Sequence, residues 1–381
     1  MDNWSDFNFG RWQINLCLIF ECMIATKNYY SNEIFKKEMS TLFESNFQFI
    51  ALTSELMNDR DFVTLDYEGT SVVAQNFKGV IKVFLNICSH RFNKIQTEQR
   101  GNRPLSCSYH GWTFDVNGFP VGLPQKHKFE SLGDKREQLC LKEFHVEICG
   151  KFVFFRKEVA GIGLREYLGE FYDTLYDLSK WMGDQVYFGS TPHKTNWKLL
   201  VENVTECYHC ALVHKDSFLA RLGIGNANLE DVVLSGNHSS CHFPRTEVKG
   251  EKARKKLMAH LDGREFNHNS FYHIHIFPNL FVASAEGVFL YIGHALPISE
   301  CETDMRIRYF GPNVEMTENK ASLQNIINEE SVRLGLTVVS EDQGILENIQ
   351  KTIHLADKPG IVGDDEIRIK AFHSNYERLM S

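Results

Sequence analysis

The stretch NICSHRFNKIQTEQRGNRPLSCSYHGWTFDVNG, residues 86–118, carries two short pairs of metal-binding side chains. Cys88 and His90 are spaced C-x-H; after sixteen intervening residues come Cys107 and His110, spaced C-x2-H. Tetrahedral zinc also accepts two thiolates and two imidazoles, but zinc fingers keep their cysteines together and place their histidines together on a helix. Here each pair is mixed and sits among strand-forming residues. Mixed pairs suit a [2Fe–2S] cluster in which each loop gives a Cys to one iron and a His to the other, the imidazoles raising the potential. A structural zinc ribbon is the competing reading. Gly111 and Trp112 fit a tight turn and a capping aromatic, and Pro104 a rigid bend between the loops.

Around this stretch the pattern is that of short antiparallel strands. Residues 61–87 alternate β-branched and aromatic with polar residues about the turn signals DYEGT and NFKGV, and GWTFDVNG and GKFVFFRKE continue the style. An all-β domain is predicted over residues 45–160. From Leu164 the apolar residues Tyr167, Leu168, Phe171, Leu175 and Leu178 recur at helical spacing. Beyond them, helical stretches at 197–214 and 322–355 are separated by strand-like runs such as FYHIHIFPNLFVASA and VFLYIGHALP. The second part, residues 161–381, is predicted to be α+β, an antiparallel sheet with helices laid on it, and residues 1–44 to pack against it. The charged segment 250–269 reads as an exposed helix and loop.

Composition excludes several classes. The 381 residues are 43% hydrophobic, enough for two domain-sized cores. With 41 basic against 49 acidic side chains the net charge is −8, without the basic footprint of a nucleic-acid binder. The apolar run at residues 14–25 is about half a bilayer span and contains Glu21, and residues 1–11 lack the basic start of a secretory signal. A soluble, cytoplasmic protein is expected. Its ten cysteines are then buried apolar fillers or metal ligands, with no dense disulfide framework.

A second constellation lies in NWKLLVENVTECYHCALVHKDSF, where Glu206, His209 and His214 stand as E-x2-H-x4-H. Glu206 and His209 share a helix face. His209 and His214 are about 140° apart round an ideal helix, so they converge on one metal only where the helix bulges or unwinds. Two imidazoles and one carboxylate form the facial triad of mononuclear non-haem Fe(II) oxygenases. The missing acid is Asp342, read as lying at the start of a late helix opened by Ser340 and Gln343; Glu341 and Glu347 compete. A Rieske-type cluster donates single electrons and an Fe(II) site needs them, so the two constellations explain each other.

With both constellations, the chain resembles the Rieske non-haem iron oxygenases, oxygenase-component α subunits. NICSHR, CSYHGWTFDVNG, NWKLLVEN, ECYHC and FPNLF occur in the family's order, followed by the late acid. The resemblance implies a Rieske [2Fe–2S] domain before a START/SRPBCC-like catalytic domain. It implies Cys88, His90, Cys107 and His110 on the cluster, His209, His214 and Asp342 on iron, and Glu206 as a bridge carrying electrons between neighbouring subunits of a homotrimer. Asn203, a turn before Glu206, lines the pocket. Glu206 in ECYHC is similar to the group acting on quaternary ammonium compounds such as glycine betaine, carnitine and stachydrine. Phe92 stands where the family usually has Gly, Phe47 where it commonly has Trp, and residues 1–28 match nothing.

The expected activity is hydroxylation of an organic substrate with O2 and two electrons, N-demethylation following where the attacked carbon is on nitrogen. An aromatic or natural-product substrate is the alternative. No G-x-G-x-x-G opens a helix, so NAD(P)H acts through a separate flavin/iron–sulfur reductase or ferredoxin. The rival classes are a Rieske electron carrier and a ligand-binding protein with structural histidines. They differ in iron: about three per chain for the oxygenase, two for the carrier and none for the binder.

Overall fold

The computed structural model describes residues 23–381 apart from 68, 158–160, 224–229, 244–260, 262–265, 267–270 and 316. Residues 1–22 and most of the 250–269 segment therefore lie outside it. The chain enters with helix α1 (Asn32–Glu38), whose Ser31 cap accepts from the Ile34 N–H. Strands β1 (Gln48–Leu52), β2 (Asp61–Tyr67), β3 (Thr70–Phe77), β4 (Val80–Leu85) and β5 (Arg100–Asn102) follow. A small hairpin, β6 (Thr113–Phe114) with β7 (Pro120–Gly122), precedes β8 (Glu143–Cys149) and β9 (Phe152–Arg156). Among the described residues β1-β9-β8-β4-β3-β2-β5 form one antiparallel sheet.

Helices α2 (Leu164–Leu168) and α3 (Phe171–Trp181) take the helical pattern predicted after residue 163. Gly169, at φ +54°, breaks it in two. Strand β10 (Met182–His193) leads to α4 (Trp197–Val204) and the short α5 (Cys210–Val213). Then come β11 (Glu230–Ser235), β12 (His238–Phe243), β13 (Phe271–Ile276), β14 (Leu280–Ala285), β15 (Phe289–Ser299) and β16 (Glu302–Pro312). These make a second antiparallel sheet, β10-β16-β15-β14-β13-β12-β11, and α6 (Glu318–Thr352) and α7 (Ile367–Met380) close the chain.

Strand alternation joins the two sheets through shared cores. Val153 and Phe155 of β9 enter a core that also holds Val63, Trp197 and Ile307, while Phe152 and Phe154 point into another with Leu175 and Ile292. Buried charges fix the same junction. Glu38 accepts from Lys198 Nζ (2.6 Å), Trp197 Nε1 (2.9 Å) and Tyr376 OH (2.6 Å), tying α1 to α4 and α7. Arg308 Nε reaches Glu55 at 3.1 Å and Arg306 Nη1 donates to Thr64 O at 2.7 Å, across the sheets.

Two sequence expectations need correction. Residues 197–214 are not one helix: α4 stops at Thr205, and after α5 a π-helical turn runs Lys215–Leu219. Asp342 does not begin a helix either, because α6 is continuous for 35 residues from its Thr317 cap. Val332, Leu336, Val339 and Leu346 keep a helical stripe packed on the core through the supposed boundary, so the helix continues past Ser340.

Candidate metal centres and their cavity

The loops around Cys88 and Cys107 repeat one geometry. The Phe92 N–H donates to Cys88 O and the Gly111 N–H to Cys107 O, both at 2.9 Å, and Phe92 and Gly111 both take positive φ, +60° and +73°. Each lies four residues after its cysteine. The turn thus requires a left-handed residue at both places, a conformation that Gly111 adopts freely and Phe92 only against its Cβ.

Cys88 and Cys107 are buried in a core of their own with Ile95, Leu105, Trp112 and Phe114. The His90 and His110 rings lie 4.6 Å apart, and Trp112 stacks flat on His90 at 4.6 Å. Burial pushes the Cys88 thiol up to about 11. Burial acts on Cys107 too, but the Tyr109 N–H and the Asn93 amide, 3.6 Å from Sγ, outweigh it and hold that thiol below its usual range. Among the described residues His90 Nδ1 is buried with no partner. Two buried sulfurs, two facing imidazoles and an orphaned ring nitrogen are the donor set a [2Fe–2S] cluster with mixed ligation needs.

At the second centre the helix break does what an unbroken helix cannot. His209 caps α5 at its start and His214 at its end, with ring centres 5.1 Å apart. Asp342 reaches them from α6: Oδ1 is 3.1 Å from His214 Nε2 and 3.5 Å from His209 Nε2. Ligand atoms of all three lie within 4.8 Å of one another, so the trio could hold one metal ion. Asn203 Nδ2 stands 3.4 Å from Asp342 Oδ1 and 3.5 Å from His209 Nε2.

The outer nitrogens are also occupied. Glu206 accepts from His209 Nδ1, and Glu341 Oε2 accepts from His214 Nδ1 at 2.7 Å and from Ser217 Oγ at 2.6 Å. Fixing Nδ1–H in this way turns each Nε2 lone pair toward Asp342. Glu341 therefore stands behind a histidine rather than beside the other ligands. Glu347 is farther off, accepting from the Lys194 N–H at 3.2 Å and from Gln343. Burial opposes charging of His214, but Asp342 and Glu341 raise its pKa.

The trio opens on a cavity of about 130 Å³, roughly the space a single six-membered ring fills. Phe218, Phe271, Phe289, Tyr291, Met305 and Tyr309 supply much of its wall, and among the described residues no Lys or Arg does. Two glycines shape it: a Cβ on Gly293 would fall 2.3 Å from Tyr291 Oη, and one on Gly335 of α6 1.6 Å from Tyr309 Oη. Sequence reasoning missed this lining, the role of Glu341, and the disulfide that joins Cys207 to Cys210 around Tyr208 and His209. That pair departs from the expectation of fillers or ligands. A C-x2-C spacing was the available signal.

A cluster-type β domain leading to a two-histidine, one-carboxylate pocket defines a terminal oxygenase, a class that takes electrons from outside and incorporates O2. The chain belongs to the family described as ring hydroxylating alpha subunit (catalytic domain), which its residues 169–381 match, and residues 46–144 match the Rieske [2Fe-2S] domain. It is an oxygen-incorporating oxidoreductase with a Rieske cluster and a mononuclear iron. It is 24% identical to the 2-aminobenzenesulfonate 2,3-dioxygenase subunit alpha of Alcaligenes sp over 93% of this chain and 92% of that protein. The carnitine monooxygenase oxygenase subunit of Acinetobacter pittii (strain PHEA-2) is 28% identical over 49% of this chain and 51% of its own length. The crystal structure of the quaternary ammonium Rieske monooxygenase CntA with an inhibitor superposes with TM-score 0.77 at 18% identity, covering 94% of this chain and 95% of that one.

Proposed function

We propose that His209, His214 and Asp342 hold the catalytic iron, that Cys88, Cys107, His90 and His110 hold the cluster, and that the cavity takes a substrate with a single ring, packed on its aromatic wall, for hydroxylation. The convergence of the three ligand atoms on the wall of an aromatic-lined cavity carries this reading. When bound, the iron supplies the site where O2 is activated with electrons delivered through the cluster. The protein's own part is orientation. Glu206 and Glu341 hold protons on the Nδ1 atoms of the two histidines, Asn203 donates to Asp342, and the aromatic walls exclude water.

Exposed apolar residues at both centres support a homotrimer in which one subunit's cluster faces the next subunit's iron. Phe92 is 80% exposed beside the cluster loops, and Tyr208 and Leu212, beside Glu206, are each 83% exposed. Covering such groups is a common reason for assembly. Glu206 then joins a cluster histidine of one subunit to His209 of the next. A separate reductase or ferredoxin recharges the cluster. Among the described residues no helix is long and apolar enough to cross a membrane, in keeping with a cytoplasmic place.

Quaternary ammonium compounds are the second reading. The Tyr291 and Tyr309 rings, 5.3 Å apart in the cavity wall, can face a trimethylammonium head, and carnitine is the substrate named for one relative. Reconstitution with a reductase and a substrate panel divides the two. Product coupled to O2 uptake from arenes supports the first reading, and product only from trimethylammonium compounds replaces it with the second.

A further inference from the structure

Arg368 of α7 is 1% exposed, and among the described residues it meets no carboxylate. Its guanidinium donates to Ser239 Oγ (3.0 Å), Ser239 O (3.4 Å), Thr205 O (3.4 Å), Cys241 Sγ (2.9 Å) and His273 Nδ1 (3.1 Å). The sulfur does not neutralise it, since burial holds the Cys241 thiol up even beside the guanidinium. A buried charge ordinarily has a counter-charge, so this one is an exception that calls for a cause.

The contact with His273 settles a tautomer. Arg can only donate, so His273 Nδ1 must accept, and the ring proton sits on Nε2. Burial first and the Arg368 charge second hold this imidazole neutral. His273 lies on the face of β13 that, with Phe271, lines the cavity beside the iron trio. Among the described residues its Nε2–H meets no hydrogen-bond acceptor.

We infer that His273, oriented by Arg368, is a specificity residue whose Nε2–H donates to an oxygen acceptor on the substrate, an anionic oxygen best of all. The inference rests on the cavity being the substrate site and deepens that reading. Most of the wall offers apolar contact, which orders no particular atom of a ring toward the iron. One fixed donor does, and the uncompensated guanidinium behind it favours a carboxylate or similar group over a neutral oxygen. Arg368 is the positioning residue: it sets the tautomer and supplies the field without touching substrate.

The test is calorimetric titration of the anaerobic holoenzyme with benzoate, acetophenone and ethylbenzene, which share a ring and differ in the acceptor. The expected order of affinity is benzoate, then acetophenone, then ethylbenzene. His273→Phe should weaken benzoate about tenfold or more, leave ethylbenzene within about threefold and keep the iron content. His273→Gln, which retains an N–H donor, should restore most of the loss. Arg368→Met should weaken benzoate selectively, whereas a merely structural arginine would weaken all three alike. Equal binding of benzoate and ethylbenzene by the wild type, or an unchanged preference in His273→Phe, overturns the inference. Loss of mononuclear iron on replacing His209 is independent of every arm, so failure here is separable from failure of the metal assignment.

Discussion

Asp342 closes the proposed iron site from a helix about 130 residues away in sequence from the two histidines, and its Oδ1 lies within reach of both Nε2 atoms. Asp342→Ala should abolish mononuclear iron and product formation while leaving the cluster's visible spectrum intact, because two imidazoles alone hold Fe(II) poorly. Normal turnover in that variant would move the ligand role elsewhere. Glu341→Gln is expected to weaken iron binding about 10- to 100-fold, the usual cost of losing a group that orients a ligand; unchanged affinity in a chelator competition would contradict it. The histidines were legible because their type and spacing are chemical signals. Glu341 was visible only as a competitor, since nothing in sequence says on which side of an imidazole a carboxylate stands. At the cluster, Phe92→Gly should raise first-domain stability by ~1 kcal/mol by relieving the left-handed backbone at φ +60°. Denaturant titration measures this, and a loss would mean that the exposed ring contributes more than its backbone costs.

At the scale of elements, the break between α4 and α5 brings the rings of His209 and His214, five apart in sequence, to 5.1 Å of each other. Periodicity showed that an unbroken helix would fail there, yet it did not show where the break falls, because Thr205, Glu206 and Cys207 are no strong helix terminators. The helical stretch read at 322–355 matches α6 (Glu318–Thr352), but the apparent capping sequence at Ser340 within it starts no helix, being overridden by packing on both sides. Alternation in the strands read well, since both sheets bury at least one face. Gly335 offers a test of how α6 meets the sheet: Gly335→Ala should displace the Tyr309 hydroxyl and lower ligand affinity in the cavity without removing iron. The central strands carry a pH dependence of their own. Burial holds His238 down to about 4 and His275 to about 3; His238 Nδ1 accepts from the Phe277 N–H and its Nε2 donates to Tyr167 O. Unfolded histidine takes up a proton near pH 6.5, so between that pH and about 4 the unfolded state binds more protons and stability falls on acidification. Between pH 6.5 and about 4 each histidine withdraws ~3 kcal/mol. Urea midpoints that stay flat from pH 7 to 5 would contradict this.

For the whole molecule, the two domains share a core, and the electron route is the feature that sequence could least reveal. Both ends of the proposed route are apolar and open to solvent in the single chain, at Phe92 and at Tyr208 and Leu212, with Glu206 already holding His209 Nδ1. Its other oxygen accepts from the Tyr208 and His209 N–H groups, and in the proposed trimer this carboxylate is the one beside the neighbouring subunit's cluster histidine. Glu206→Ala also removes the group that orients His209, so it should bind iron more weakly; loaded with excess Fe(II), it should keep the cluster and the proposed trimer yet lose nearly all turnover. Single-turnover stopped flow on the pre-reduced enzyme, with substrate and O2 supplied, measures the step itself. Cluster oxidation slowed by orders of magnitude in Glu206→Ala, compared at matched iron content, is the predicted result; oxidation at the wild-type rate would contradict the bridging role.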